Sequence, residues 1–179
     1  MDTAPIILVR GAPGAGKSTF AQKLRDCIFQ KHNRITAIFE TDNFFVDSIN
    51  HHDYHFDSDF LGIAHWWNQG EVIRCCRDCP EVPVIVANTF SQNWELKPYL
   101  EIAKAFKRPV YVFTLRTEHD NVHNVPEKTV QKHRLGMQDF TMDKFVRDGF
   151  PVVYHLKIMT DEEAAKIAQM VHFKFIEQK

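Results

Sequence analysis

The sequence predicts one α/β domain: a parallel β-sheet with helices on both faces. Three observations carry that prediction. Short apolar runs alternate with amphipathic stretches along nearly the whole chain, the pattern of βαβ units. The apolar runs are almost continuous rather than alternating with polar residues, which fits strands covered on both sides. A glycine-rich turn also separates the first strand from the first helix.

The elements follow in order. Strands are expected at Pro5 to Arg10, Ile35 to Glu40, Val82 to Ala87, Pro109 to Leu115 and Pro151 to Leu156. Helices are expected at Lys17 to Lys31, Phe60 to Arg77, Glu95 to Ala105, Glu127 to Gln138 and Asp161 to Ile176. In the last, Ala164, Ile167, Ala168, Val171 and Phe175 share one face, as in a surface helix docking on a sheet. No internal repeat or low-complexity tract interrupts the series. A length of 179 residues suits one domain spanning the whole sequence.

The turn after the first strand reads Gly11-Ala12-Pro13-Gly14-Ala15-Gly16-Lys17-Ser18, which satisfies G-x-x-x-x-G-K-[ST] at every fixed position. Its glycines let successive N–H groups curl inward at phosphate oxygens, and the N-terminus of the next helix adds partial positive charge. Lys17 is placed to bridge β- and γ-phosphates, the Ser18 hydroxyl to ligate Mg²⁺, and Thr19 to contact an α-phosphate. A P-loop nucleotide-binding domain taking ATP and Mg²⁺ is the expectation. The base cannot be read from the sequence, although the Asn-Lys-x-Asp element of small GTPases is absent.

Composition narrows the function classes. Lys and Arg number 22 against 23 Asp and Glu, with 44% hydrophobic and 25% charged residues, as in a globular rather than a disordered or strongly basic protein. The longest N-terminal apolar run, Ile6 to Val9, is far too short for a membrane span, so a soluble cytoplasmic protein without a membrane partner is expected. Cys75, Cys76 and Cys79 crowd together without a second pair at zinc-finger spacing, and with Cys27 read as reduced thiols.

In an open parallel sheet, ligands sit beyond the carboxyl ends of the strands. After the second strand comes Glu40-Thr41-Asp42-Asn43-Phe44-Phe45, where Asp42 could accept the proton of an attacking hydroxyl or help to hold Mg²⁺. Its bland alternative is a turn-capping carboxylate. The following segment, His51-His52-Asp53-Tyr54-His55-Phe56-Asp57, reads as a solvated loop, a proton-sensitive substrate contact or a transition-metal site. Trp66 and Trp67 point about 100° apart on a helix, so at most one faces a substrate groove and the other packs in the core. Phe44 and Phe45 read as packing or as stacking surfaces.

Charge is uneven. Between Lys97 and Arg134, eight basic residues (Lys97, Lys104, Lys107, Arg108, Arg116, Lys128, Lys132 and Arg134) outnumber Glu101, Glu118, Asp120 and Glu127. This excess allows a phosphorylated or polynucleotide substrate without requiring one.

Taken together, GAPGAGKST, TDNFF, the helix with Ala64-His65-Trp66-Trp67-Asn68, Val86-Ala87-Asn88-Thr89 and Trp94-Glu95-Leu96-Lys97-Pro98-Tyr99 resemble polynucleotide-kinase-type P-loop proteins. That group includes phage 5′-hydroxyl polynucleotide kinases and the kinase-like domain of the myelin cyclic-nucleotide phosphodiesterase. The resemblance runs from about residue 5 to residue 140. It implies Lys17 and Ser18 as phosphate and metal ligands and Asp42 as general base toward a 5′-hydroxyl.

The chain departs from the group in three places. Phe45 stands where the phage enzymes carry a substrate-binding arginine. Asn88-Thr89-Phe90 replaces the group's D-T-N, removing a carboxylate. The lid is compressed to residues 116–124, so Arg116 and Arg134 become the candidate lid arginines. The expected activity is transfer of the γ-phosphoryl group of ATP to a hydroxyl of a single-stranded nucleic-acid end or a nucleotide-like acceptor. The alternatives are a kinase of small molecules and a nucleotide-binding adaptor or regulator with little transferase activity.

Overall fold

The computed structural model describes residues 2–46, 54–119 and 125–171, together with Phe173 and the pair Ile176–Glu177. Among the described residues, strands β1 (Asp2–Thr3), β2 (Ile6–Arg10), β3 (Ala37–Phe39), β4 (Val84–Asn88), β5 (Val110–Leu115), β6 (Val152–Ile158) and β7 (Ile176–Glu177) are accompanied by six α-helices. These helices are α1 (Lys17–His32), α2 (Leu61–Asp78), α3 (Asn93–Ala105), α4 (Glu127–Gly136), α5 (Met142–Arg147) and α6 (Asp161–Met170). Five strands form one parallel sheet in the order β3-β4-β2-β5-β6, which is the expected architecture.

The apolar runs explain the layering. Alternate residues of β2 serve opposite faces: Ile6 and Leu8 meet residues of α2, α3 and α5, while Ile7 and Val9 meet α1 and α6. All of β2, β4 and β5 is buried. The strand that feeds the glycine-rich turn is therefore fixed between two neighbours, and its carboxyl end cannot drift.

Boundaries shift where local chemistry intervenes. The last helix stops at Met170, well before Ile176. Val171 turns extended (φ -62°, ψ 127°), Phe173 packs its ring edge-on against Tyr111 at 4.9 Å, and Ile176–Glu177 pairs antiparallel with Asp2–Thr3. Burying Phe173 on the sheet outweighs continuing the helical period into Phe175, which lies outside the described residues. The short helix α5 was not anticipated. It is held by Phe145, which stacks on Phe140 at 4.8 Å and meets Phe150 at 6.2 Å.

Among the described residues, no helix is long and apolar enough to cross a membrane.

Candidate active site

The glycine-rich turn curls as its sequence requires. Gly14 and Gly16 adopt φ 77° and 71°, left-handed values that cost other residues strain. A Cβ on Gly11 would lie 2.9 Å from Ala15 Cβ and 3.0 Å from the Leu115 carbonyl oxygen, so the close approach of β5 admits only glycine there. Helix α1 begins with no side-chain cap and no acidic residue in its first turn. Its first N–H groups are left for an external anion, which tests the fit to a polyphosphate directly.

Lys17 donates to the Ala12 carbonyl at 3.0 Å, holding its ammonium across the loop. Burial lowers its pKa to about 8, against the opposing pull of the Asp42 and Glu40 carboxylates. Ser18 and Thr19 are exposed beside it. A neighbouring segment braces the loop: Thr117 Oγ1 donates to the Ala15 carbonyl at 2.8 Å, and the His119 N–H donates to the Gly14 carbonyl at 2.8 Å. His119 Nε2 also meets Asp161 Oδ1 at 2.9 Å, tying the loop to the start of α6.

Asp42 lies on a 3-10 turn, Thr41–Phe45, immediately past β3, and is exposed. Its charge bears on Lys17, His65 and Tyr54. The turn is aimed from two sides. Asn88 Oδ1, at the end of β4, accepts from the Thr41 N–H at 2.8 Å, and His65 Nδ1 lies 3.3 Å from Thr41 Oγ1. Asn88 thus performs a positioning task at the place where a carboxylate is missing. Two residues later, Phe90 holds a left-handed φ of 45° while its ring packs on Tyr99, a strained step at the rim of the site.

The two candidate lid arginines differ in placement. Arg116 is mostly enclosed and donates to the carbonyls of Arg134 (3.5 Å) and Met137 (3.2 Å) and to Asp139 Oδ1 (3.4 Å). It anchors the carboxyl end of α4. Arg134 forms an ion pair with Glu118 at 3.3 Å across the start of the lid segment. Residues 120–124 of that segment lie outside the described residues, as do 47–53, which include His51, His52 and Asp53.

Several site residues escape sequence reasoning. Arg10 is fully buried and donates to Asn93 Oδ1 (3.2 Å) and to the carbonyls of Ser91 (3.2 Å) and Gln138 (2.9 Å). Burial, with Arg116 nearby, brings its pKa down to about 10. His133 Nδ1 lies 2.8 Å from Ser91 Oγ, and burial lowers the pKa of both His133 and His65. An arginine ending an otherwise apolar strand was the available signal for Arg10. The His133–Ser91 contact joins residues 42 apart and left none.

Neither tryptophan packs in the core. Trp66 is 81% exposed and Trp67 37%, with Trp67 leaning on Phe44 at 5.9 Å. Phe45 is buried and holds Phe56 at 5.1 Å. Cys75 and Cys76 lie in the last turns of α2, and burial raises the Cys76 thiol to about 12. Arg108 caps that helix end through the Cys76, Cys79 and Val82 carbonyls.

A family model described as an AAA domain matches residues 6–132, from β2 through most of α4. The chain belongs to this family. The chain is 38% identical over 105 residues, 59% of its own length, to human NEDD4-binding protein 2. Those residues span only 5% of that much longer protein. Among solved structures, Chaetomium thermophilum Kti12 in complex with ADP-AlF3 superposes with a TM-score of 0.62 at 13% identity, covering 92% of this chain and 95% of that one. Mycobacterium tuberculosis APS kinase CysC, in complex with AMPPNP and APS, gives 0.57 at 13% identity, covering 94% and 95%. At such identities the likeness concerns the fold, which is that of the P-loop kinases.

Proposed function

We propose that this domain is an ATP-dependent phosphotransferase of polynucleotide-kinase type, acting on a hydroxyl of a single-stranded nucleic-acid end or a nucleotide-like acceptor. The observation that carries this reading is the opposition of Lys17 and Asp42: an ammonium fixed over the phosphate loop, and an exposed carboxylate on a braced turn close enough to bear on its charge. Lys17 binds the transferring phosphate as a point charge. Asp42 accepts the acceptor's proton as the new O–P bond forms and the bond to the β-phosphate breaks. The Ser18 hydroxyl and Asp42 are oxygen donors suited to Mg²⁺, which when bound supplies neutralisation of the phosphate charge. Arg134 is the better candidate for the lid, because an exposed carboxylate is easier to leave than the carbonyls that hold Arg116. The basic residues of α4, Lys128, Lys132 and Arg134, suit a phosphorylated acceptor.

The test is transfer from γ-labelled ATP to 5′-hydroxyl oligonucleotides, run beside free nucleosides and sugars. Labelled oligonucleotide supports the proposal. Transfer to a small molecule alone redirects it to the small-molecule kinases. Tight ATP binding without transfer to any acceptor favours a second reading, a nucleotide-binding adaptor, which the amide at Asn88 and the committed Arg116 also support.

A further inference from the structure

Helix α2 turns Ala64, Asn68, Val72 and Cys76 into the core, so the opposite row faces solvent. That outer row begins on the short turn Ser58–Phe60 that runs straight into α2, and reads Asp59, Ile63, Trp66, Gly70, Ile73, Arg77. Its steps alternate four and three residues, the spacing of a helix–helix seam. All six positions are exposed. Ile63 is 55% exposed and Ile73 41%, on either side of Trp66, and Phe60 and Trp67 widen the line along one flank. A contiguous apolar strip of this kind marks an interface.

The order of residues in the row says what covers it. It is acidic at one end, basic at the other, and carries its largest side chain beside its smallest residue. Turned end to end about a point between Trp66 and Gly70, it matches itself: Asp59 meets Arg77, Ile63 meets Ile73 and Trp66 meets Gly70. That is the self-complementarity a two-fold interface requires. Gly70 supplies a separate sign. It lies in mid-helix, where glycine weakens the helix relative to alanine, yet a methyl group added there would find no heavy atom within 4 Å. Among the described residues, nothing in the chain's own packing calls for glycine at that position. A tryptophan ring seated on it does.

We propose that two copies of this chain associate through antiparallel α2 helices, Trp66 of each resting on the partner's Gly70, with Asp59–Arg77 ion pairs closing both ends of the seam. Arg77 presently pairs with its exposed neighbour Asp78 and is available to exchange. A fully buried aromatic contributes roughly 150–250 Å². The strip therefore offers several hundred Å² per copy against about 800 Å² per partner in a standard interface, which points to a reversible dimer.

Sedimentation velocity of the whole chain over about 1–200 µM tests this. The wild type should shift from monomer to dimer with concentration. Trp66→Glu should weaken association at least about thirtyfold. Gly70→Leu should weaken it similarly by filling the seat, while leaving the helix at least as stable. Asp59→Arg alone should weaken it, and Asp59→Arg with Arg77→Asp in one chain should restore it. A monomer at every concentration overturns the proposal, as does a dimer indifferent to both Trp66→Glu and Gly70→Leu. So does a charge swap that fails to recover what the single change lost. Thermal melts establish that each variant is folded.

Discussion

The two walls of the candidate site are built in different ways. The phosphate-loop wall is local: residues 11–19 form one turn and the start of one helix, and its bracing contacts come from Thr117 and His119, just beyond the adjacent strand. The opposite wall is assembled from distant pieces. Its turn at Thr41–Phe45 is aimed by Asn88 and His65, and the end of α4 is tied down by Arg10, Arg116, Gln92 and Asn93. A local wall tolerates change elsewhere in the molecule and fails when its own residues change. An assembled wall can lose function through residues that never touch a substrate.

The largest expected effect breaks the local wall. Lys17→Ala should weaken nucleotide binding by at least about a hundredfold, which isothermal titration would read as loss of heat, because it removes the ammonium that the Ala12 carbonyl holds across the loop. Asp42→Asn should separate the walls. Turnover should fall by about 10²- to 10⁴-fold while nucleotide affinity changes little, in a single-turnover assay with saturating ATP.

Next in size is a stability effect on the assembled wall. Arg10→Met should destabilise the fold by about 2–4 kcal/mol, since the Ser91 and Gln138 carbonyls lose a charged donor inside the protein. Chemical denaturation would measure this, and a change below about 0.5 kcal/mol, the level of an ordinary surface substitution, would mean the latch is incidental.

The smallest effect is a pH dependence of the loop. Lys17 holds its proton below about pH 8 in the folded protein, so triphosphate affinity should fall as pH rises through that value. The unfolded chain keeps the lysine protonated up to its ordinary pKa of 10.5, so it binds more protons than the folded state between about 8 and 10.5. Stability should therefore rise with pH across that window from this group. Lys17→Met should flatten both trends.

The same division governs what the sequence discloses. The five parallel strands were legible because each lies in a nearly continuous apolar run, and the loop because its motif is contiguous and flanked by the right elements. The position of Asp42 on the turn past β3 was legible from its place after an apolar run. His65, His133 and the carbonyl latch of Arg10 and Arg116 were not, since their roles depend on residues 18 to 128 positions away and on no local pattern. The end of α6 was missed for a related reason. Helical periodicity runs on past Met170, but the tertiary contact of Phe173 with Tyr111 decides where the helix stops.

The most direct test of the account compares wild type and Asp42→Asn for transfer of labelled γ-phosphate to a 5′-hydroxyl oligonucleotide, with nucleotide affinity measured on the same samples. The wild type should yield a 5′-phosphorylated product and the variant at least about a hundredfold less at nearly equal affinity. Equal transfer by both proteins, or a wild type that binds ATP and transfers nothing, would contradict it.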